Sequence, residues 1–392
     1  ANIDATSGSS TGGNLILTGS PTMSVGSGGL GKLYTGSISG STGLTGLTNL
    51  ASASGRFRYN SDETNTNYTT ALTTGLNAIF REQPSSSISN MTLSMTYGDA
   101  LPSITATGAM NGDTAGYAIT SRLNSTSGNI KASATPYAIT ESFTGLGYLV
   151  NGTSTASTGM LTVNTKALTM NGLSVPTSKV YNGTTASTIS GTATLLSAEA
   201  VGTGTSTDGK RYTGDVASIT GTAAGTYNSK DVANASSVTF SGLSLTGADA
   251  GNYALTIQSP ADATITAKAL TMSGLSVPSS RIYNGTTSVS VSGTAALQAA
   301  ETAGTGTTSD GKPYTGDTVA ITGTAVGTYN SKDVASASTV TFSGLSLNNT
   351  NYSLTIQSPA SATITAKALT MTGLSVPTSK VYNGTTTATV SG

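Results

Sequence analysis

The chain has 392 residues, with 17 basic and 17 acidic side chains and no cysteine, histidine or tryptophan. Zero net charge gives no field to hold nucleic acid or an anionic membrane, and the missing residues exclude disulfides, thiolate metal sites and histidine-based nucleophiles. Charged residues are 9% against about a quarter in an average globular protein, so hydroxyls and backbone must keep this chain in solution.

No run approaches the roughly 18 apolar residues of a membrane span, and no membrane insertion is expected of this segment. A cysteine-free chain suits export, so an exported protein is expected, although Ala1 opens no basic-then-apolar leader. Apolar residues recur in alternating patches that return in register, which argues for a folded chain.

Residues 1–84 read as a β-rich segment of short runs such as Asn14–Thr18 and Lys32–Thr35, with a glycine-punctuated turn at 40–47. Within it, Asn67–Phe80 places Leu72, Leu76, Ile79 and Phe80 at i, i+4, i+7 and i+8. That spacing predicts the chain's single helix, closed by Pro84. Residues 85–165 form a second unit. Tyr117–Thr120 and Tyr137–Thr140 alternate as half-buried strands, while Asn111-Gly112 and Asn151-Gly152 supply positive-φ turns.

From Lys166 the chain repeats itself. K-A-L-T-M opens copies at Lys166, Lys268 and Lys367, a period of about 100 residues. That is too long for a solenoid and suits one small domain per repeat. The copies span 166–267 and 268–366, and 367–392 begins a third that runs only to Gly392, so an interior piece of a longer protein is expected. Matched runs Ser237–Phe240 and Thr339–Phe342, then Tyr253–Ile257 and Tyr352–Ile356, predict all-β sandwiches or barrels. At the boundary, apolar residues 265, 267 and 269 switch phase to 270 and 272. A one-residue slip turns a strand's side chains to the other face. An extended segment is therefore expected to leave one core at Ala269 and enter the next at Leu270, giving a stiff rod of tandem domains.

Several motifs invite chemistry. Y-N-G-T-T at Tyr181-Asn182-Gly183, Tyr283-Asn284-Gly285 and Tyr382-Asn383-Gly384 offers an aromatic and an amide to a sugar, but Asn-Gly is equally a hairpin turn. The structural reading is preferred, with these residues and the Ala269/Leu270 junction as the key positions. Asp208 and Asp215 recur as Asp310 and Asp317 in D-G-K-x-Y-T-G-D. Repetition in each copy speaks for turn chemistry rather than a glycosidase pair. Ser178-Lys179 carries no further catalytic context, so no enzyme is expected. No cofactor is expected. Ca2+ is the one candidate, through Asp99, Asp113, Asp249 or the D-G-K loop, but no D-x-D-x-D-G word exists. Lys230-Asp231 and Lys332-Asp333, near Asn228 and Asn330, pose a Lys–Asn isopeptide crosslink.

Lys179–Thr185 (K-V-Y-N-G-T-T) and Gly251–Thr256 (G-N-Y-A-L-T) resemble the YDG repeat of large bacterial haemagglutinin-like exoproteins, with Asn182, Asn284 and Asn383 in place of the usual Asp. Thr96–Pro102 with Met110–Asp113 resembles the MBG family, an immunoglobulin-like bacterial domain. Gly55–Asn60 through Arg81–Pro84 is similar to the segment that follows the β-helix in such adhesins. The resemblance implies an all-β chain of tandem immunoglobulin-like β-sandwiches in a rod, preceded by the end of a β-helix. It also implies two-partner secretion and an extracellular, cell-surface or biofilm-matrix adhesin. Expected partners are an exopolysaccharide, a host or neighbouring cell surface, or further copies of the chain in a filament or sheath. The first reading is a stalk; an exopolysaccharide-binding module and a self-assembling subunit are the alternatives.

Overall fold

Alternating hydroxyl and apolar side chains with frequent glycine leave the backbone little choice but extended pairing. The computed structural model describes residues 6–47, 50 and 55–392. Among these the regular structure is strand, with short 3-10 turns and no α-helix. The chain is all-β. Ala1 lies outside the described residues. Contacts divide the chain into two compact units: residues 1–173, 191–223 and 242–258 form one, and 174–190, 224–241 and 259–392 the other. The first 100-residue copy thus contributes to both.

In the first unit, Leu30–Thr35 and Phe57–Arg58 flank Gly75–Phe80 in a three-stranded parallel sheet. This overturns the helix expected over 67–80. Residues Leu76 to Phe80 are buried without interruption, as befits a central parallel strand covered on both faces. Such a strand shows no alternation, and its apolar residues met the helical template by coincidence. Even Asn77 is inside, its amide donating to the Thr73 and Gly75 carbonyls.

Residues 85–165 build two sheets. Thr92–Thr96, Thr158–Asn164, Tyr137–Glu141 and Tyr117–Ile119 lie in that order in one. Thr105–Thr107, Ser85–Ser89 and Leu149–Val150 form the other. Two of these strands stand where alternation predicted them, and both residues of Asn111-Gly112 and of Asn151-Gly152 adopt positive φ. Ile88, Leu93, Tyr137, Ile139, Leu161 and Val163 are buried together in one apolar cluster. Burying each such aliphatic side chain contributes about 1.5–3 kcal/mol.

The second copy lies wholly in the second unit. Lys268–Ser276 is the centre of a sheet with Ser292–Leu297 and, in parallel, Tyr352–Thr355. Ile321–Tyr329 and Thr339–Leu347 pair antiparallel in a four-stranded sheet, and Ser280–Ile282 runs parallel to Thr363–Thr365. The first copy has the same strand order. Ladders slip at Gly274 and after Gly323, both with φ near +95° to +100°. A Cβ on Gly274 would stand 2.2 Å from the Thr294 carbonyl oxygen, so only glycine fits the crossing.

At the boundary between copies, Ile265, Lys268, Leu270 and Met272 are buried and Ala269 is exposed. The phase change therefore falls between Ala267 and Lys268, ahead of the expected Ala269/Leu270 step. A lysine was read as a surface residue, whereas Lys268 points inward to two carboxylates. Residues 367–392 are exposed, with one antiparallel bridge between Ser375 and Ser391.

Candidate functional site

Three aspartates, each following a glycine of positive φ, close the same turn: Asp113, Asp215 and Asp317 donate their N–H to the carbonyls of Met110, Tyr212 and Tyr314. They recur about 100 residues apart. In each case one carboxylate oxygen receives two phenols. Tyr59 and Tyr148 donate to Asp113 Oδ2 over 2.8 and 2.9 Å. Tyr97 and Tyr253 donate to Asp215 Oδ2, both over 2.6 Å, and Tyr181 and Tyr352 to Asp317 Oδ2, both over 2.7 Å. The rings of each pair meet edge to face, with centroids 4.7, 5.2 and 5.3 Å apart.

In this tyrosine–aspartate–tyrosine clasp the first phenol always belongs to the preceding segment. Tyr59, Tyr97 and Tyr181 come from 1–84, 85–165 and 166–267; the carboxylate and second phenol come from the segment that follows. The second phenol is held in turn, since Tyr253 and Tyr352 accept the N–H of Tyr212 and Tyr314. Burial, then the bond to the carboxylate, pushes the Tyr97 and Tyr181 phenols up to about 12. Burial raises the Asp113 carboxyl as well. At neutral pH every phenol is therefore a fixed donor, and the arrangement is built to hold.

The Y-N-G-T-T words do two things there. Tyr181 is buried in the clasp, so its ring is closed to a sugar. Asn182 and Gly183 meet the next copy: the Gly304 N–H donates to the Asn182 carbonyl, and Gly183 packs where a Cβ would lie 2.7 Å from Ala303. Nor is the word a hairpin. Asn182 lacks positive φ, and its Oδ1 accepts from the Thr184 N–H and hydroxyl, while the Lys179 ammonium binds Asn182 Oδ1 and the carbonyls of Thr184 and Ala186. An ammonium-centred turn does what a hairpin register was expected to do. In the second copy Arg281 takes the lysine's place, Asn284 Oδ1 again accepts from Thr286, and Tyr283 is half-buried beside the exposed Asn284 and Gly285. Lys380 and Asn383 rebuild the turn before Gly384 with Tyr382 93% exposed.

The other candidates are bound up locally. Asp99 Oδ2 accepts the Thr96 N–H, and Asp249 accepts the N–H groups of Val216 and Thr126. Among the described residues no cluster of three metal-ligating side chains occurs. The Asn228 amide bonds Asn234, Ser236 and Ser237, while Lys230 pairs with Asp231, so the pair considered for a crosslink is not assembled.

Sequence reasoning missed a second cluster. Lys166 and Lys268, first residue of their copies, are fully buried. Lys166 Nζ lies 2.5 Å from Glu199 Oε1 and 3.0 Å from Asp208 Oδ1; Lys268 Nζ lies 2.7 Å from Glu301 and 2.9 Å from Asp310. The ammonium sits 4.2 Å over the Tyr212 ring in one copy and 4.0 Å over Tyr314 in the other. Burial opposes the charges, yet the hydrogen bonds outweigh it, leaving both lysines raised and both aspartates lowered, Asp310 to about 2. The in-register recurrence of Lys, Glu and Asp in both copies was the available signal.

A family model described as the YDG domain matches residues 164–263 and again 266–362. No curated protein matches the sequence.

Proposed function

The chain belongs to the YDG-domain family, and from that premise we propose that it is a structural stalk segment of a large secreted bacterial surface or biofilm-matrix adhesin, a run of tandem immunoglobulin-like sandwiches after the end of a β-helix. The observation that carries this reading is the clasp, repeated with one geometry at the three boundaries that join 1–84, 85–165, 166–267 and 268–366. Hydrogen bonds to a charged acceptor contribute about 1.5–3 kcal/mol each, so flexing is opposed once at each of these three boundaries. The similarity of Thr96–Asp113 to MBG domains and of Gly55–Pro84 to the segment after an adhesin β-helix supports an extracellular setting. The buried Tyr181 favours holding over sugar capture.

Small-angle scattering of the whole chain tests the proposal. A stiff, elongated particle is expected, with compliance rising when Asp215→Ala and Asp317→Ala are combined. A wild-type profile of a flexible coil defeats it. A reproducible sugar hit on a glycan array would instead make the chain an exopolysaccharide-binding module.

A further inference from the structure

A lysine taken wholly out of water between two carboxylates is a reactant as well as an ion pair. We propose that Lys166 and Asp208, and likewise Lys268 and Asp310, condense into intramolecular isopeptide bonds, with Glu199 and Glu301 moving the protons. Five features of the site point the same way.

The amine is within 3.0 Å of an aspartate oxygen in each copy, and its side chain has no exposure. The Tyr212 and Tyr314 rings lie over Nζ and keep water from it. Asp208 Oδ1 accepts the backbone N–H of Lys210 over 3.0 Å, and Asp310 Oδ1 that of Lys312 over 3.0 Å. That donor polarises the carbonyl and stands ready for the oxyanion that forms on attack. The other oxygen, Asp208 Oδ2, is buried with no donor. Finally, Glu199 Oε2 and Asp208 Oδ2 converge over Gly204, whose absent Cβ would lie 2.1 and 2.6 Å from them, and Gly306 serves Glu301 and Asp310 in the same way. At rest the aspartate is ionised; two carboxylate oxygens this close hold one proton between them more readily than two negative charges, so a proton passed on from the lysine makes the aspartate the electrophile required.

The step balances without any co-reactant. Glu199 Oε1, nearest the ammonium, takes a proton from Nζ, and Glu199 delivers it to Asp208 Oδ2. The freed amine attacks Asp208 Cγ, forming the C–N bond and placing negative charge on Oδ1 opposite the Lys210 N–H. A second proton follows from Nζ through the glutamate, the Cγ–Oδ2 bond breaks, and water leaves. One ammonium and one carboxylate become an amide and a water, and Glu199 ends ionised as it began. The bond ties the start of strand Lys166–Ser174 to the loop that carries Asp215. The pair considered from sequence, Lys230 with Asn228, has none of this arrangement.

Intact mass of the purified full chain under denaturing conditions decides the matter. A deficit of about 36 Da from the sequence mass is expected, two waters, and Lys166→Arg or Lys268→Arg should each restore about 18 Da. Peptide mapping should recover branched species joining Lys166 to Asp208 and Lys268 to Asp310. Glu199→Gln, which keeps both reacting residues, should leave the first copy unlinked. A wild-type mass equal to the sequence mass overturns the proposal. So does a deficit carried by linear peptides, the mark of succinimide at Asp208-Gly209, or by a branch from Lys166 to Glu199.

Discussion

Replacing Tyr181 by phenylalanine removes one hydroxyl from the clasp and almost no volume. The lost bond runs 2.7 Å to Asp317 Oδ2. A hydrogen bond to a charged acceptor contributes about 1.5–3 kcal/mol, and two facts place this one at the low end. Asp317 keeps the Tyr352 phenol, and its side chain is 14% exposed, so water can enter. The expected loss is about 1.5 kcal/mol, close to a tenfold rise in local opening. Native-state hydrogen exchange read by mass spectrometry reports it directly. The Asp317 and Gly304 amides, bonded to the carbonyls of Tyr314 and Asn182, should exchange about tenfold faster, and the Asp215 amide should not change. Tyr97→Phe should cost more, about 2–3 kcal/mol, because Asp215 is only 1% exposed and water cannot replace the phenol. A less than twofold change at Asp317, or equal acceleration at Asp215, would refute the reasoning.

Three further outcomes are expected. Gly98 has φ +90°, and a Cβ there would stand 2.1 Å from the Tyr212 hydroxyl; Gly98→Ala should cost about 2–4 kcal/mol and lower the melting temperature of the wild-type chain, and an unshifted melt would contradict the packing. Lys179→Arg should be near neutral, since Arg281 fills that role in the second copy, whereas Lys179→Met should lose about 1–2 kcal/mol in denaturant titration by stranding three acceptors. The Tyr97 and Tyr181 phenols are raised in the folded state, from 10 to about 12, so their contribution is complete below pH 10 and is lost as pH climbs towards 12; an alkaline titration of tyrosinate absorbance should show a late, cooperative class, and simple ionisation near pH 10 for every tyrosine would deny the clasp.

The repeat period, the matched strands and the positive-φ Asn-Gly turns of residues 85–165 were open to reading because each depends on neighbours in sequence. Alternation is a local property. The clasp was not, since Tyr181 and Asp317 are far apart in sequence and neither looks unusual alone: a tyrosine in a strand and an aspartate in a turn are ordinary residues. The helix expected over Asn67–Phe80 failed for a related reason. A strand buried on both faces carries no period of its own, and only its parallel neighbours identify it. Lys166 and Lys268 defeated a rule of thumb, that lysine faces water, because the partners that overturn the rule arrive from another loop. That error also displaced the expected core switch from Ala267–Lys268 to Ala269–Leu270.

The eight residues Asp208 to Asp215 join the two clusters. The first aspartate faces Lys166 in its own copy, Tyr212 roofs that lysine, and the last aspartate takes the Tyr97 phenol of the preceding segment. A pull on Tyr97 therefore passes through Asp215 and along this loop to Asp208, and from there to the strand Lys166–Ser174, at whose start Lys166 stands. The loop can hold the clasp only if its far end is fixed. Asp208→Ala touches no atom of the clasp, yet it should loosen it: without its bond to Lys166 the loop pivots, and the phenols of Tyr97 and Tyr253 lose a stationary acceptor. Exchange at the Asp215 amide should rise several-fold, while the Asp317 amide, whose loop is anchored by Asp310, keeps its protection. If Asp208→Ala leaves Asp215 as protected as before, the two clusters are independent, and the loop is a spacer rather than a coupling.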